Sequence, residues 1–320
     1  MSTPREVQAE RFAATLKGLL GPQLLEAIFD PLMTDIMLNQ DGRVWYEAHG
    51  RGLYKAGFTI PATQTESLIG TVAAALGTVA NADHPIVEGE LPLGRIRFEG
   101  LMPPVVRQAC WAMRLPAKVL YTIEDYLRDG IIVQRQADAF RNAVDRKLNI
   151  LLAGGTGSGK TTLAGAIINE MVLRSDPSDR YVLIEDTAEI QCRAQNLLSL
   201  QTDDNAGIDM TRLVRTTMRL RPTRIIVGET RGGEALAMLK AWSTGHPGGV
   251  TTVHSNSAPE ALTRLEYLVE EAGVPPRPKL IAETINLIAF IEQKPEGRRL
   301  TELVRVKGYD SSNEFQVEEV

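Results

Sequence analysis

Apolar residues in the first part of the chain follow helical spacing between Glu6 and Phe29. The spacing is interrupted at Gly21-Pro22, which predicts two amphipathic helices instead of one. The polar face of these helices carries charges of both signs, whereas helices that lie on membranes have a mainly basic polar face. This favours packing in a core or an interface, and a peripheral membrane contact stays open as the alternative.

Short β-prone runs follow these helices. A turn-rich spacer, Gln40-Asp41-Gly42-Arg43, separates residues 36–39 from residues 44–47 and predicts a β-hairpin. Further elements are predicted as a helix within 65–80 and strands at 95–100 and 110–116. Residues 1–130 are therefore predicted to form a small mixed α+β domain.

The pattern changes after residue 130, where apolar β-prone runs alternate with helical stretches. The runs are NILLAGG, YVLIED, RIIVGE, GVTTVHS and LIAFIE. This alternation is typical of a wound α/β domain with a largely parallel sheet. We therefore predict an α/β protein whose residues 131–320 form the larger domain.

Composition limits the classes of function. The 320 residues are 43% hydrophobic and 23% charged, as in ordinary globular proteins. The net charge is −5, whereas many nucleic-acid-binding proteins have a broad basic surface. Nucleic acid is therefore not predicted as a partner. Two distant cysteines indicate neither a zinc site nor a disulfide framework. The amino-terminal MSTPREVQAERF has no apolar signal-peptide core, so we expect a cytoplasmic protein.

The strongest motif is GGTGSGKT at residues 154–161, which matches GxxxxGK[ST] in full between an apolar run and a helix-period segment. Such a loop turns its backbone amides toward the phosphates of a nucleotide, next to the positive end of a helix. Lys160 is predicted to reach the β- and γ-phosphates, and the Thr161 hydroxyl to bind Mg²⁺. ATP and Mg²⁺ are therefore the predicted cofactors. The predicted cofactor-binding residues of the loop are Gly155, Thr156, Gly157, Ser158, Gly159, Lys160, Thr161 and Thr162.

Hydrolysis also needs a carboxylate that positions water, usually at the end of a neighbouring strand. Glu229 ends the run RIIVGE and is our candidate for the base or for a ligand of the Mg²⁺ shell. Glu185 and Asp186 end the run YVLIED and are predicted as supporting acids, Asp186 on the metal side. Helix capping is the alternative for both sets of acids, since Asp186 and Thr187 could start a helix whose first turn contains Glu189.

Several basic residues are further candidates. His254 ends another apolar run, which makes it a candidate sensor of the γ-phosphate, with a purely structural role as the alternative. Arg114 is a candidate phosphate contact, because guanidinium groups stabilise spread phosphoryl charge. Three arginines lie on one predicted helix face: Arg212, Arg215 and Arg219. Their positive charge could contact a neighbouring subunit's nucleotide, bind an anionic partner or contribute to solubility alone.

Four segments in order resemble the Walker A, Asp box, Walker B and His box of the type II/type IV secretion ATPases: GGTGSGKTT, VLIEDTAEI, RLRPTRIIVGETRGGEA and TGHPGGVTTVHSNS. The resemblance implies a RecA-like ATPase domain in a homohexamer beneath the bacterial inner membrane, with membrane components of a secretion or conjugation channel as partners. It implies the same roles for the candidates named above, including Arg114. RPTRI and GHPGG are more similar to the conjugation and type IV secretion branch than to the type II branch. The type II branch usually has an acidic residue after the Walker B proline, whereas here Thr223 follows Pro222.

The predicted function is therefore an ATP-hydrolysing motor that energises conjugative transfer or type IV secretion. Three other functions are the alternatives. A type IV pilus or type II secretion ATPase is a branch of the same family. A DNA-translocating helicase with a RecA-like core is disfavoured by the acidic net charge. A GTPase is disfavoured because the chain has no Asn-Lys-x-Asp motif for guanine.

Overall fold

The computed structural model describes residues 4–91, 93–116, 118–203, 206–310 and 314–320, with side chains from residue 11 onward. The chain divides into two compact units, Met1–Val119 and Leu120–Val320. Residues 1–3, the start of the segment compared above with signal peptides, lie outside the described residues. No helix in the described part of the chain is both long and apolar enough to cross a membrane.

Within its described residues, the first unit contains two helices and one sheet. Its elements are α1 (Pro4–Phe29), β1 (Met33–Leu38), β2 (Arg43–Ala48), β3 (Gly52–Thr59), α2 (Ala62–Ala75), β4 (Ile86–Leu91), β5 (Ile96–Leu101) and β6 (Cys110–Arg114). The strands form an antiparallel sheet in the order β3-β2-β1-β6-β5-β4. Apolar side chains of both helices and the sheet share one core.

Two predictions for this unit are confirmed. Strands β1 and β2 pair antiparallel around the predicted turn, with Leu38 opposite Val44. Helix α1 is broken at Gly21, whose φ of 71° and ψ of 171° are not helical, and Pro22 follows it. Since glycine adopts positive φ without steric cost, the Gly-Pro pair ends one helical segment and starts the next.

The second unit is built on a larger sheet. Its elements are α3 (Ile123–Arg128), α4 (Gln134–Asp145), β7 (Ile150–Gly154), α5 (Lys160–Arg174), β8 (Arg180–Glu185), β9 (Asn196–Gln201), α6 (Met210–Thr217), β10 (Arg224–Val227), α7 (Glu234–Ser243), β11 (Val250–His254), α8 (Ala258–Glu270), α9 (Pro278–Thr284), β12 (Leu287–Lys294), β13 (Gly297–Tyr309) and β14 (Phe315–Glu319). The strand order is β14-β13-β12-β7-β11-β10-β8-β9. The six strands from β12 to β9 are parallel to one another, and β13 and β14 extend the sheet antiparallel beyond β12.

The central strands are buried on both faces. In β7, Leu151 and Ala153 pack into one apolar cluster, and Ile150 and Leu152 pack into a second cluster on the opposite face. Helices on both faces of a parallel sheet produce this continuous burial, which is why the strand reads as an unbroken apolar run. The predicted α/β fold class is confirmed.

The boundary between the units follows Val119, earlier in the chain than the boundary at residue 130 predicted from the sequence. Helix α3 lies between the two positions and belongs to the second unit. Its buried residues Ile123 and Tyr126 share the second unit's core with Phe140 of α4. The glycine at residue 130 therefore marks a turn between α3 and α4 within one unit.

Asn149 joins the starts of three strands in the second unit. The Asn149 side chain is buried, and its Oδ1 accepts hydrogen bonds from the backbone amides of Gly248 (2.8 Å) and Gly249 (3.0 Å), which precede β11. Its Nδ2 donates to the carbonyl oxygen of Thr284, just before β12, at 2.8 Å. One amide side chain thus fixes the amino ends of β7, β11 and β12 relative to one another.

Arg224 at the start of β10 is a buried cation, only 2% exposed. Its guanidinium donates to the carbonyl oxygens of Gly248 (3.2 Å) and Val144 (3.1 Å) and to Oγ of Ser175 (3.3 Å). A Cβ on Gly248 would lie 2.5 Å from the guanidinium, so this position needs glycine. Val144 is in the last turn of α4, where the helix dipole favours a positive charge.

We expect Arg224→Ala to destabilise the second unit by about 3 kcal/mol, because the change leaves buried carbonyl groups unsatisfied and opens a cavity. For a domain of this size, the melting temperature would fall by about 6–12 °C. Thermal unfolding followed by circular dichroism measures the shift. Arg193→Ala, at an exposed position, is the control and should change the melting temperature little. Equal melting of the two variants would contradict this role.

Candidate nucleotide-binding site

The Gly-rich loop connects β7 to α5 near the middle of the parallel sheet. Strand β7 ends at Gly154, which pairs with His254, the last residue of β11. Helix α5 begins at Lys160, directly after the loop. Because carboxyl ends of parallel strands share one edge of a sheet, the loop opens where other strand ends carry their polar residues.

Backbone geometry shapes this loop. A Cβ on Gly154 would lie 2.3 Å from the carbonyl oxygen of Ile291 and 2.6 Å from Oγ of Ser158, which leaves no room for a side chain. Gly157 and Gly159 have φ values of 72° and 100° in the left-handed region that favours glycine. Gly155, Thr156 and Gly157 form the exposed rim of the loop.

The start of α5 has the features of an anion site. Gly159 occupies the N-cap position and provides no side-chain cap, and the first amides of a helix have no acceptor within the helix. Thr161 and Thr162 in this first turn are partly exposed. Oγ of Ser158 is buried and has no hydrogen-bond partner among the described residues. These groups are hydrogen-bond donors that a bound phosphate would satisfy.

Lys160 is folded back onto the loop. Its Nζ donates to the carbonyl oxygens of Gly154 (3.0 Å) and Gly155 (2.8 Å) and lies 3.5 Å from Nδ1 of His254. Burial lowers the pKa of this ammonium group, and nearby Glu229 opposes that shift. The ammonium group is thus a partly desolvated positive charge at the mouth of the loop, where it can exchange backbone oxygens for phosphate oxygens.

Glu229 and His254 reach the same edge from neighbouring strands. Oε1 of Glu229 lies 2.9 Å from Nε2 of His254. Burial lowers the pKa of His254, and the Lys160 ammonium lowers it further. The His254 imidazole thus lies between the two charged groups, with Nε2 facing the Glu229 carboxylate and Nδ1 facing the Lys160 ammonium group. Lys160, His254 and Glu229 thus form one contiguous polar chain.

The two acids at the end of β8 have different surroundings. Oε1 of the buried Glu185 accepts the backbone amides of Glu189 (3.0 Å) and Ile190 (2.8 Å), so this carboxylate holds the segment that follows the strand. Asp186 is exposed, and its Oδ1 accepts a hydrogen bond from the Thr202 hydroxyl at 3.2 Å. Asp186 is therefore the acid of the pair that is accessible to a ligand.

Sequence reasoning missed Arg231, which the structure places in the site. Its Nη2 donates to Oε2 of Glu229, and its Nη1 lies 3.7 Å from Oδ2 of Asp186. The backbone next to Arg231 is well fixed, because Thr230 is buried and its amide donates to the carbonyl oxygen of Thr252 at 2.9 Å. An arginine two residues after a carboxylate at a strand end was the available signal.

Other predicted residues lie elsewhere or stay predictions. Arg114 is on β6 of the first unit, where its Nε donates to Oδ1 of Asp35 at 3.1 Å, and its contact with phosphate stays a prediction. The arginines predicted on one helix face are exposed and form no ion pair with another described residue, which leaves their alternatives open: Arg212, Arg215 and Arg219.

The residues present fit a magnesium-bound triphosphate. The uncapped start of α5 and the unsatisfied Ser158 hydroxyl supply donor groups that phosphate oxygens need, and the backbone at Gly154 leaves no room for a side chain. The Thr161 hydroxyl and the carboxylates of Glu229 and Asp186 are oxygen ligands of the kind that Mg²⁺ prefers, directly or through water.

A family model described as type II/IV secretion system protein matches residues 20–296. The chain belongs to this family. This family member is 49% identical over 308 residues to the conjugal transfer protein TrbB of Rhizobium radiobacter, a match that covers 96% of this chain and 94% of that protein. It is 31% identical over 264 residues to the type IV secretion system protein PtlH of Bordetella pertussis, covering 74% and 76%.

A solved structure shows the same fold. The ATPase DotB of Legionella pneumophila matches with a TM-score of 0.62 and 22% identity, over 96% of this chain and 82% of that chain. The family predicted from the four motifs is confirmed. The similarity to conjugal transfer and type IV secretion proteins also confirms the predicted branch of the family.

We expect Lys160→Ala to weaken binding of Mg·ATP by at least about tenfold, because it removes the charged donor that the loop holds ready. A fluorescent, slowly hydrolysed ATP analogue measures the dissociation constant. Lys279→Ala, an exposed lysine on α9, should bind like the unchanged protein. Unchanged affinity in Lys160→Ala would contradict the assignment of this loop as the phosphate site.

Proposed function

We propose that this secretion-system protein is a cytoplasmic ATPase motor that energises conjugative transfer or type IV secretion. One observation carries the proposal: Lys160, His254 and Glu229 come from three separate segments and meet in one polar chain at the mouth of the Gly-rich loop. The family membership and the similarity to conjugal transfer proteins support the biological context.

The loop and Lys160 bind the triphosphate in this proposal. The amides of residues 155–161 and the start of α5 donate to the β- and γ-phosphate oxygens, and the Lys160 ammonium turns from the carbonyl oxygens of Gly154 and Gly155 toward the phosphates. Thr161, Asp186 and Glu229 are the residues that would hold Mg²⁺, directly or through water. When bound, the metal would neutralise charge that develops during transfer.

Glu229 orients the attacking water and accepts its proton. The Glu229 carboxylate follows β10 by two residues and is only 20% exposed, which shields a water molecule held there from bulk solvent. His254 contacts both Glu229 and Lys160, which places it to report the γ-phosphate to the base. Glu185 supports this arrangement by holding the backbone amides of residues 189 and 190.

We further propose that six copies form a ring at the cytoplasmic face of the inner membrane, where channel components of the secretion or conjugation machinery bind. The resemblance of the four motifs to the secretion ATPases supports this arrangement. Nucleotide-dependent closure and opening within such a ring is the step that would convert hydrolysis into mechanical work.

Glu229→Gln should keep nucleotide binding and lose hydrolysis by about 100-fold or more, because the amide keeps the shape but cannot accept the proton. Phosphate release measures turnover, and the ATP analogue measures binding. Glu260→Gln, an exposed change on α8, serves as the control. Normal turnover in Glu229→Gln would refute the assignment of the base.

Light scattering coupled to size exclusion tests the ring. With the ATP analogue and Mg²⁺, we expect the mass of six 35.1-kDa chains, and Lys160→Ala should show less of this species because nucleotide binding is weakened. Phospholipid vesicles in a second series show whether the chain binds membranes. A monomer under every condition would exclude the ring.

A further inference from the structure

Arg231 forms ion pairs with two carboxylates of the site at once. Its Nη2 donates to Oε2 of Glu229, and its Nη1 is 3.7 Å from Oδ2 of Asp186. These are the two carboxylates that the proposed function places in the shell of Mg²⁺. The positively charged guanidinium group of Arg231 therefore competes with a divalent cation for the same carboxylate oxygens.

The backbone of Arg231 is fixed by hydrogen bonds, whereas its side chain is more than half exposed. The amides of Arg231 and Gly232 both donate to Oε1 of Glu234, at 2.6 and 2.8 Å, and Thr230 is buried between β10 and β11. The Arg231 side chain is 55% exposed. A change of rotamer is enough to remove the guanidinium from Glu229 while the segment stays in place.

Charge also permits a divalent cation to replace the Arg231 guanidinium beside Glu229. The pair of Arg231 with Asp186 is exposed on both sides and contributes little to stability. Glu229 is more buried, so its charge needs a counter-ion, and a divalent cation would supply one when Arg231 leaves. Arg231 lies close enough to lower the pKa values of Lys160 and His254 through its positive charge. A guanidinium and a divalent cation repel each other, and only one of them can neutralise Glu229 closely.

We propose that Arg231 is a positioning residue that holds Glu229 and Asp186 as their counter-ion until Mg·ATP arrives and displaces it from Glu229. Oε2 of Glu229 then becomes available to the metal shell and to the attacking water. The inference rests on the proposed function, because it assigns Arg231 a part in loading that same site.

The test measures binding of Mn²⁺, a paramagnetic substitute for Mg²⁺, to the nucleotide-free protein by electron paramagnetic resonance. Arg231→Gln and Arg231→Ala remove the resident positive charge, so Mn²⁺ should bind about tenfold more tightly than in the unchanged protein. Arg231→Lys keeps the charge and should restore the original affinity. Two neutral variants are used so that one remains informative if the other does not fold.

Two controls assign the effect to this site. Arg219→Ala removes an exposed arginine elsewhere in the same unit and should leave Mn²⁺ affinity unchanged. The double variant Arg231→Gln, Glu229→Gln should lose the gain, because the freed carboxylate is then absent. The proposal is overturned by unchanged affinity in the neutral variants, by an equal gain in Arg219→Ala, or by a gain that persists in the double variant.

The test separates this inference from the proposed function. The Mn²⁺ titration uses no nucleotide and no turnover, so failure of the titration overturns only the role of Arg231. Binding of the slowly hydrolysed ATP analogue by the unchanged protein is measured in the same preparation. Absence of that binding would instead overturn the proposed ATPase, whatever the Mn²⁺ result.

Discussion

The site depends on the parallel register of the strands in the second unit. His254 pairs with Gly154 across β11 and β7, and Val227 of β10 pairs with Ile184 of β8. This register brings the Lys160 ammonium, the His254 imidazole and the Glu229 carboxylate to one edge. A shift of one residue in a strand would turn its side chains to the opposite face and separate these groups.

The polar groups at this edge also balance one another in charge. Lys160 and Arg231 are cations among the carboxylates of Glu185, Asp186 and Glu229, and each cation contacts protein oxygens. An uncompensated charge in such a partly buried place would be costly. These groups are therefore held together by contacts that, in the proposed function, a nucleotide and its metal would replace.

Much of this organisation follows from the sequence. Glycine spacing between an apolar run and a helix identified the loop, and carboxylates after apolar runs identified Glu185 and Glu229, because parallel strands share an edge. The role of Arg231 did not follow, since the direction of a long side chain depends on contacts with Asp186, which lies far away in the chain. Strands β9, β13 and β14 were missed because their apolar residues are interrupted by exposed ones.

The hydrogen bonds of Asn149 have a mechanical consequence. They connect the starts of β7, β11 and β12 at the sheet edge opposite the Gly-rich loop. Strands clamped at one end resist sliding past each other, so the sheet behaves as a stiff plate. A displacement produced at the loop would then rotate the sheet as one rigid body, because the strands cannot slide past one another to absorb it.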